Sequence, residues 1–172
     1  MRERLVDRSV RLFLTCHLEP GKNPGAYRPD ATRDLVKNLG VSDIVMELGA
    51  IPYHNLHRLY ASADVYISPA YTETFAHPLV EAMASGVPVV ASDIAVHREI
   101  CGDAAVYFER FSPDALAACV MQIAEPSEMR RQRVADGLER VGDFSWKTHV
   151  EQILELSREL LRSKGSRPET EL

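Results

Sequence analysis

Two glutamates separated by seven residues, Glu73 and Glu81, are the side chains whose types and spacing most suggest chemistry. A carboxylate has two acceptor oxygens, so it can accept charge-assisted hydrogen bonds from a pair of neighbouring hydroxyl groups. The surrounding residues predict strand, loop, helix, turn and strand over residues 67–92, with Glu73 in the loop and Glu81 near the first turn of the helix. Spacing alone leaves a second interpretation open, in which Glu81 only stabilises its helix and Glu73 is a solvated loop residue.

The elements around the two glutamates are predicted from apolar runs and from prolines and glycines. Residues 65–69 form a short apolar run that ends at a proline, which is typical of a buried parallel strand. Proline is tolerated in a helix only in the first turn, so the helix begins at about His77 or Pro78. Gly86 predicts the end of this helix, and residues 87–91 predict the next buried strand.

The start of the predicted helix is a candidate anion site. In open parallel α/β sheets, ligands bind in the crevice at the carboxyl ends of the strands. The free N–H groups of the helix start, around Ala76 and His77, can hold an anion such as a phosphate. A carboxylate beside such a phosphate site is well suited to accept hydrogen bonds from sugar hydroxyl groups.

Strands alternate with helices along the rest of the chain, which predicts an α/β fold with a Rossmann-like, doubly wound parallel sheet. The remaining strands are predicted over residues 10–16, 44–48 and 105–108, and the remaining helices over residues 30–39, 53–63, 93–100, 113–125, 127–141 and 146–161. We divide the chain into a leading arm over residues 1–9, one domain over residues 10–162, and a disordered tail over residues 163–172.

Length and composition are those of a globular chain and exclude several functions. The chain has 172 residues, of which 45% are hydrophobic and 26% are charged, enough for one domain with a sizeable core. The formal net charge of −5 argues against a general nucleic-acid binder. No apolar stretch approaches the ~20 residues needed to span a membrane. The basic N-terminus lacks the long apolar region and the cleavage site of a signal peptide.

The cysteines and histidines do not predict a metal site. Cys16, Cys101 and Cys119 are too widely spaced for a zinc pattern, and each lies in an apolar segment. We therefore predict buried free thiols in a cytosolic protein. His54 and His57 share one side of a predicted helix, but no third ligand is near them, so we expect surface histidines.

The residues around and after the two glutamates recur, in order, in one known family. The matching stretch consists of Ser68-Pro69, Glu73-Thr74-Phe75, Pro78-Leu79-Val80-Glu81-Ala82-Met83-Ala84 and Gly86-Val87-Pro88-Val89-Val90-Ala91-Ser92. It continues through Asp93, Arg98-Glu99, Gly102-Asp103-Ala104-Ala105 and Phe144-Ser145-Trp146. This pattern resembles the EX7E signature of retaining group 1 glycosyltransferases of the GT-B fold, and the resemblance covers residues 12–161.

The resemblance implies that the chain is the C-terminal, donor-binding domain of a GT-B enzyme, the partner of an N-terminal domain that carries the acceptor site. It implies a catalytic role for Glu73 at the donor-sugar hydroxyl groups and a role for Glu81 at the ribose hydroxyl groups. The donor-binding residues that it implies are Glu73, Thr74, Phe75, Ala76, His77 and Glu81. The substrate is a nucleoside diphosphate sugar, and neither a cofactor nor a metal ion is expected.

The sequence departs from the family pattern at two site positions and at its start. Ala76 stands where relatives usually carry glycine, and its methyl group limits how closely a ligand can approach the backbone. His77 replaces a commonly apolar residue, and it either contacts phosphate or sugar or is a satisfied helix-start histidine. The usual first strand and its loop with an arginine and a lysine for the diphosphate are not recognisable. We therefore expect a partial domain that lacks its first strand–helix unit.

Three functions remain open at the level of the sequence. The first is the donor-binding part of a retaining glycosyltransferase that transfers a hexose-type sugar to an unknown acceptor. The second is a non-catalytic module that binds a nucleotide or a protein, and the third is another GT-B-type enzyme such as a nucleotide-sugar epimerase. We expect the first function, and we expect the enzyme to act in the cytoplasm. Whether the missing N-terminal half also contacts the cytoplasmic face of the membrane is left open.

Overall fold

The computed structural model describes residues 10–19 and 28–165, so the predicted leading arm and residues 166–172 of the predicted tail lie outside the described residues. The strands are β1 (Leu12–Leu14), β2 (Val45–Glu47), β3 (Tyr66–Ser68), β4 (Val89–Ser92) and β5 (Ala105–Phe108). The α-helices are α1 (Pro29–Asn38), α2 (Tyr53–Ala61), α3 (His77–Ala84), α4 (Ala95–Cys101), α5 (Pro113–Ala124), α6 (Glu128–Arg140) and α7 (Trp146–Gly165). The predicted α/β class is confirmed.

The chain divides into two compact units, one ending at Ser62 and the other beginning at Ala63. In the first unit, β1 and β2 pair in parallel. The backbone N–H of Leu18, which follows β1, donates a hydrogen bond of 2.8 Å to the carboxylate of Glu47, the last residue of β2. The predicted single domain over residues 10–162 stays a prediction.

The second unit contains a three-stranded parallel sheet in the order β3-β4-β5. Ser68 at the end of β3 pairs with Ala91, and Ala91 pairs with Tyr107 of β5. All four residues of the central strand β4 are buried. Because the strands are parallel, their carboxyl ends lie along one edge of the sheet, and the loops that follow β3 and β4 begin there.

The core of this unit joins the sheet to α5. Its fully buried members are Val90, Phe108, Val120 and Ile123. Burying each such side chain contributes about 1.5–3 kcal/mol. Partly buried hydrophobic residues surround this cluster, and they are Val65, Ile67, Val106, Ala115, Leu116, Cys119 and Met129.

Local signals in the sequence begin α5 and α6 where they were predicted. The hydroxyl group of Ser112 accepts a hydrogen bond of 3.2 Å from the N–H of Ala115, and Ser127 accepts one of 3.1 Å from Arg130. Each serine satisfies one of the unpaired N–H groups at a helix start. Both predicted helices are therefore confirmed.

α3 ends in a Schellman turn, and the next strand begins later in the sequence than predicted. Gly86 has a left-handed backbone with φ of 70°, and its N–H donates to the Met83 carbonyl at 3.0 Å. The N–H of Val87 donates to the Ala82 carbonyl at 3.2 Å. Because this turn uses Val87, β4 begins at Val89, and the predicted strand over residues 87–91 starts too early.

Gly137 lets α6 approach α3 closely. A Cβ atom at this buried glycine would lie 3.2 Å from Cγ of Met83, which is tighter than ordinary packing. Met83 is itself 2% exposed. A side chain at this position would therefore force Met83 to shift by a few tenths of an ångström.

The last helix is longer than predicted and leaves its apolar side exposed. α7 begins at Trp146 as expected but continues to Gly165, so residues 163–165 are helical and do not belong to a disordered tail. Trp146 is 76% exposed and Leu161 is 71% exposed. None of the helices in residues 10–19 and 28–165 is long and apolar enough to cross a membrane.

The prediction of buried free thiols is correct for one cysteine in three. All three cysteines are free, but Cys16 and Cys119 are only partly buried, whereas Cys101 is 1% exposed. Burial raises the pKa of the Cys101 thiol to about 12. His54 and His57 are exposed, as predicted.

Ala76, immediately before α3, has a backbone conformation that usually requires glycine. Its φ of 62° and ψ of 53° lie in the left-handed region, although its side chain is only 5% exposed. For an L-residue this conformation costs ~1–2 kcal/mol. The structure therefore accounts for the glycine that the family pattern has here.

We predict that Ala76→Gly changes the free energy of unfolding little. Relief of the left-handed strain, ~1–2 kcal/mol, offsets the lost methyl burial of ~0.8 kcal/mol and the ~0.4–1 kcal/mol of added chain entropy. Ala82→Gly is the matched control, because Ala82 is fully buried inside α3. It should cost ~2 kcal/mol, since glycine is unfavourable within a helix. Urea unfolding measures both, and equal losses would refute the account of Ala76.

Candidate active site

The loop between β3 and α3 leaves the carboxyl edge of the sheet and carries Glu73. Near its start, the hydroxyl group of Ser92, the last residue of β4, donates a hydrogen bond to the carbonyl oxygen of Ala70. Near its end, Phe75 is partly buried and Ala76 is buried. Glu73 is exposed between these two packed ends.

Thr74 orients the carboxylate of Glu73. Oε1 of Glu73 accepts a hydrogen bond of 2.8 Å from the backbone N–H of Thr74 and one of 3.5 Å from its hydroxyl group. Both of these hydrogen bonds are accepted by the same oxygen, Oε1. Thr74, predicted as a donor-binding residue, therefore directs its own N–H to Glu73, and its binding role stays a prediction.

Glu81 is the fifth residue of α3, just after its first turn, because the helix begins at His77, one of the two predicted start positions. Its side chain is partly buried. Leu79, Ala82 and Met83 are the buried residues of this helix, and they fix which side of α3 faces the core. Glu81 therefore has a defined direction, set by the packing of its neighbours.

The charges of both glutamates affect the pKa of Tyr66. Burial, then the charge of Glu81, then the charge of Glu73, raise the pKa of Tyr66 to about 12, with a smaller contribution from Cys101. Tyr66 is the first residue of β3. Both carboxylates of the predicted pair therefore contribute to the electrostatic environment of this tyrosine.

A row of rings and one guanidinium group supports Phe75. The ring of His77 lies 4.6 Å from the ring of Phe75, and Phe144 meets Phe75 edge-on at 5.7 Å. Arg140 lies over Phe144 at 5.4 Å and donates to the carbonyl oxygens of Glu99 and Ile100 at the end of α4. Phe144 thus supports Phe75, a structural role that the sequence pattern did not reveal.

The start of α3 leaves backbone N–H groups without helical partners. Ala76 is the residue before the helix, and no side chain caps it. Pro78 has no N–H, and the first N–H groups of a helix have no intrahelical acceptor. The positive end of the helix therefore lies at the end of the Glu73 loop, and the anion site there stays a prediction. His77, the first helical residue, is exposed and rests on Phe75.

An exposed ion pair holds the start of α4 near the same edge. Arg98 donates two hydrogen bonds to Asp93, at 2.5 and 2.7 Å, and its guanidinium group lies 4.6 Å from the centre of the Tyr107 ring. Hydrogen bonding to Arg98 lowers the pKa of Asp93 and raises that of Arg98. Both residues belong to the family pattern, and here they join β4, α4 and β5.

The structure adds a buried polar cluster that the sequence analysis missed. His97 is fully buried, with Ser92 and Ser68 as hydrogen-bond partners at the ends of β4 and β3. His97 lies in a helix that follows two strands, each of which ends in a serine. The sequence signals the cluster only when the ends of those two strands are known to be adjacent. Among the described residues, no group of three histidine, cysteine or acidic side chains is arranged to hold a metal ion.

Comparison with known proteins identifies relatives of the chain. Residues 26–140 match the family model described as "Glycosyl transferases group 1". The chain is 35% identical over 107 residues to O-antigen chain mannosyltransferase B of Escherichia coli, a match that covers 62% of this chain and 28% of that protein. It is 34% identical over 153 residues to the MMP alpha-(1->4)-mannosyltransferase of Mycolicibacterium hassiacum, covering 87% of this chain and 35% of that protein.

Solved structures with the same fold include a sucrose-phosphate synthase from Thermosynechococcus elongatus, with a TM-score of 0.79 and 28% identity. That match covers 89% of this chain and 39% of the synthase. The chain therefore spans roughly a third of the length of these relatives, between 28% and 39%.

We predict that Glu81→Gln lowers the pKa of Tyr66 more than Glu73→Gln does. Negative charges disfavour the phenolate, so removing either carboxylate charge must lower this pKa, and the charge of Glu81 has the larger effect. Titration of 13C-labelled tyrosine by NMR measures it. Glu155→Gln, an exposed position on α7, is the control and should leave Tyr66 unchanged. An unchanged Tyr66 in Glu81→Gln would show that the two groups are not close.

Proposed function

Because the chain belongs to the group 1 glycosyl transferases, we propose that it forms the donor-binding part of a retaining glycosyltransferase. The observation that carries the proposal is the loop from β3 to α3, which presents Glu73 and the open start of α3 at the carboxyl edge of the sheet. Glu81 follows on the same helix, and its charge acts on the same tyrosine as that of Glu73. This arrangement suits a ligand that has hydroxyl groups on both sides of a phosphate.

The two carboxylates have different roles in this proposal. Glu81 accepts hydrogen bonds from the ribose hydroxyl groups of a nucleoside diphosphate sugar, and a bond to a charged group contributes ~1.5–3 kcal/mol. Glu73 accepts from hydroxyl groups of the sugar that is transferred, which makes it the catalytic residue of the set. Thr74 supports this role because its N–H and hydroxyl group hold one oxygen of Glu73 in place.

The start of α3 binds the diphosphate. When the bond between sugar and phosphate breaks, negative charge grows on the departing diphosphate, and fixed backbone N–H groups stabilise it there. We assign this role to the N–H groups beside Phe75, Ala76 and His77. Phe144 and His77 support it by packing against Phe75.

The transferred sugar is of the hexose type, and the acceptor binds elsewhere in the enzyme. Both mannosyltransferases are relatives at or above 34% identity, which supports a hexose donor. Since this chain corresponds to about a third of those proteins, we assign the acceptor site to a second, N-terminal domain of the complete enzyme. The free cysteines favour the cytoplasm as the place where it acts.

A non-catalytic nucleotide-binding module is the second candidate, and Ala76 favours it. The buried methyl group stands where the family pattern has glycine, and it narrows the approach to the backbone. Sugar transfer by an enzyme that contains this chain and a second domain would exclude this candidate.

We predict that the 172-residue chain binds nucleoside diphosphates with a dissociation constant of about a millimolar, if ribose and helix contacts together give ~4 kcal/mol. Titration with UDP, GDP and ADP, followed by NMR, should shift the amide signals of residues 73–81 most strongly. Shifts spread evenly over the chain, or shifts centred elsewhere, would contradict the proposed site.

We predict that Glu81→Ala weakens this binding by ~1.5–3 kcal/mol, whereas Glu73→Ala is nearly silent, because a bare diphosphate has a ribose but no transferred sugar. Glu155→Ala removes the same charge from an exposed position on α7 and serves as the control. Isothermal titration calorimetry compares the three variants. A larger loss for Glu73→Ala would mean that the two roles are reversed.

A further inference from the structure

Among the described residues, the two buried polar side chains are Ser92 and His97, with exposures of 1% and 0%. A buried polar group costs free energy unless it is hydrogen-bonded. Nδ1 of His97 lies 2.9 Å from the carbonyl oxygen of Ser92 and 3.1 Å from its hydroxyl oxygen. Nε2 lies 3.4 Å from the hydroxyl oxygen of Ser68. Each polar atom of the imidazole ring is therefore paired.

The partners of the ring assign its protons. The carbonyl oxygen of Ser92 can only accept, so Nδ1 carries a hydrogen and donates it. The hydroxyl group of Ser92 donates to the carbonyl oxygen of Ala70, which leaves its oxygen to accept from Nδ1. The hydroxyl group of Ser68 then donates to Nε2. One neutral tautomer, with the hydrogen on Nδ1, satisfies every member of the cluster.

The cluster lies where the Glu73 loop begins. Ser68 ends β3 and Ser92 ends β4, so His97 of α4 connects the carboxyl ends of two neighbouring strands. Ala70, which accepts from Ser92, stands three residues before Glu73. The other end of the loop is held separately, by the contact between Phe75 and Phe144.

We propose that His97 is a positioning residue for the donor site, a proposal that rests on the function proposed above. Through Ser92 it fixes the carbonyl group of Ala70, and through Ser68 it fixes the strand end from which the loop leaves. Glu73 then projects from a loop whose two ends are both immobile. A leucine at this position would fill similar space but would leave the hydroxyl group of Ser68 and the carbonyl oxygen of Ser92 without the ring as a partner.

A merely structural role for His97 makes a different prediction. His97 also joins α4 to the end of β4, and α4 contributes Ile100 and Cys101 to the buried interior. If His97 only packed α4 against the sheet, replacing it would lower the free energy of unfolding. The loop would then change no more than it does in another core variant that is equally destabilised. The loop itself is therefore the readout.

The test compares four variants of the 172-residue chain with the unaltered protein. His97→Asn keeps an amide N–H near the position of Nδ1, whereas His97→Leu removes both ring nitrogens. Ser68→Ala removes only the bond to Nε2, so it stays informative if His97→Leu does not fold. Val120→Ala is the matched control, because it lowers stability in the core cluster around α5, which includes none of the loop residues 70–76.

Three measurements decide the proposal. Long-range 15N NMR of the imidazole ring should show the tautomer with the hydrogen on Nδ1. Amide signals of residues 70–76 should shift and broaden in His97→Leu. They should shift less in Ser68→Ala and His97→Asn, which both lose the bond to Nε2 but keep a donor near Nδ1, and little in Val120→Ala. A UDP-hexose should bind His97→Leu about fivefold more weakly, which is the equivalent of one hydrogen bond of ~1 kcal/mol. Bare UDP has no transferred sugar for Glu73 and should bind His97→Leu and the unaltered chain alike.

The outcomes separate this proposal from the proposed function. A tautomer with the hydrogen on Nε2, or loop shifts in His97→Leu and Ser68→Ala no larger than those in Val120→Ala, would overturn the positioning role. If UDP does not bind the unaltered chain but the loop signals change as expected, the positioning role stands and the proposed donor function fails.

Discussion

β4 lies between β3 and β5, and because the three strands run parallel, their carboxyl ends share one edge of the sheet. All of β4 is buried, so its register with both neighbours is fixed by packing as well as by hydrogen bonds. The loop that carries Glu73 starts at this edge, and Ser92 at the end of β4 bonds to its second residue, Ala70. A displacement of β4 would therefore move the start of this loop with it.

The separation of the two glutamates depends on how α3 begins and ends. Ala76 turns the chain with a left-handed backbone, and Gly86 turns it again after the helix with a second one. Between them, the buried face of α3 sets the direction of Glu81. A sequence spacing of eight thus has a geometric meaning: one carboxylate leaves the loop before the helix, and the other leaves the helix just after its first turn.

The sequence predicts most of this framework because its signals are local. Ser112, Ser127 and Gly86 are caps that act on their own neighbours, and each ends or begins a helix where expected. Long-range contacts are harder to foresee. His97 meets Ser68 across 29 residues, and Phe144 contacts Phe75 because α6, which precedes Phe144 in the sequence, packs against α3. Neither contact leaves a periodic pattern in the sequence, since one residue on each side is enough to make it.

The central claim is that Glu81 binds ribose and the start of α3 binds phosphate. A crystal structure of the chain with a nucleoside diphosphate, grown or soaked at concentrations well above a millimolar, tests it most directly. The account predicts ribose hydroxyl groups within hydrogen-bond distance of the Glu81 carboxylate and the diphosphate beside the N–H groups of Phe75, Ala76 and His77. A nucleotide bound at this edge with its ribose turned away from Glu81, or bound at another surface of the chain, would contradict it.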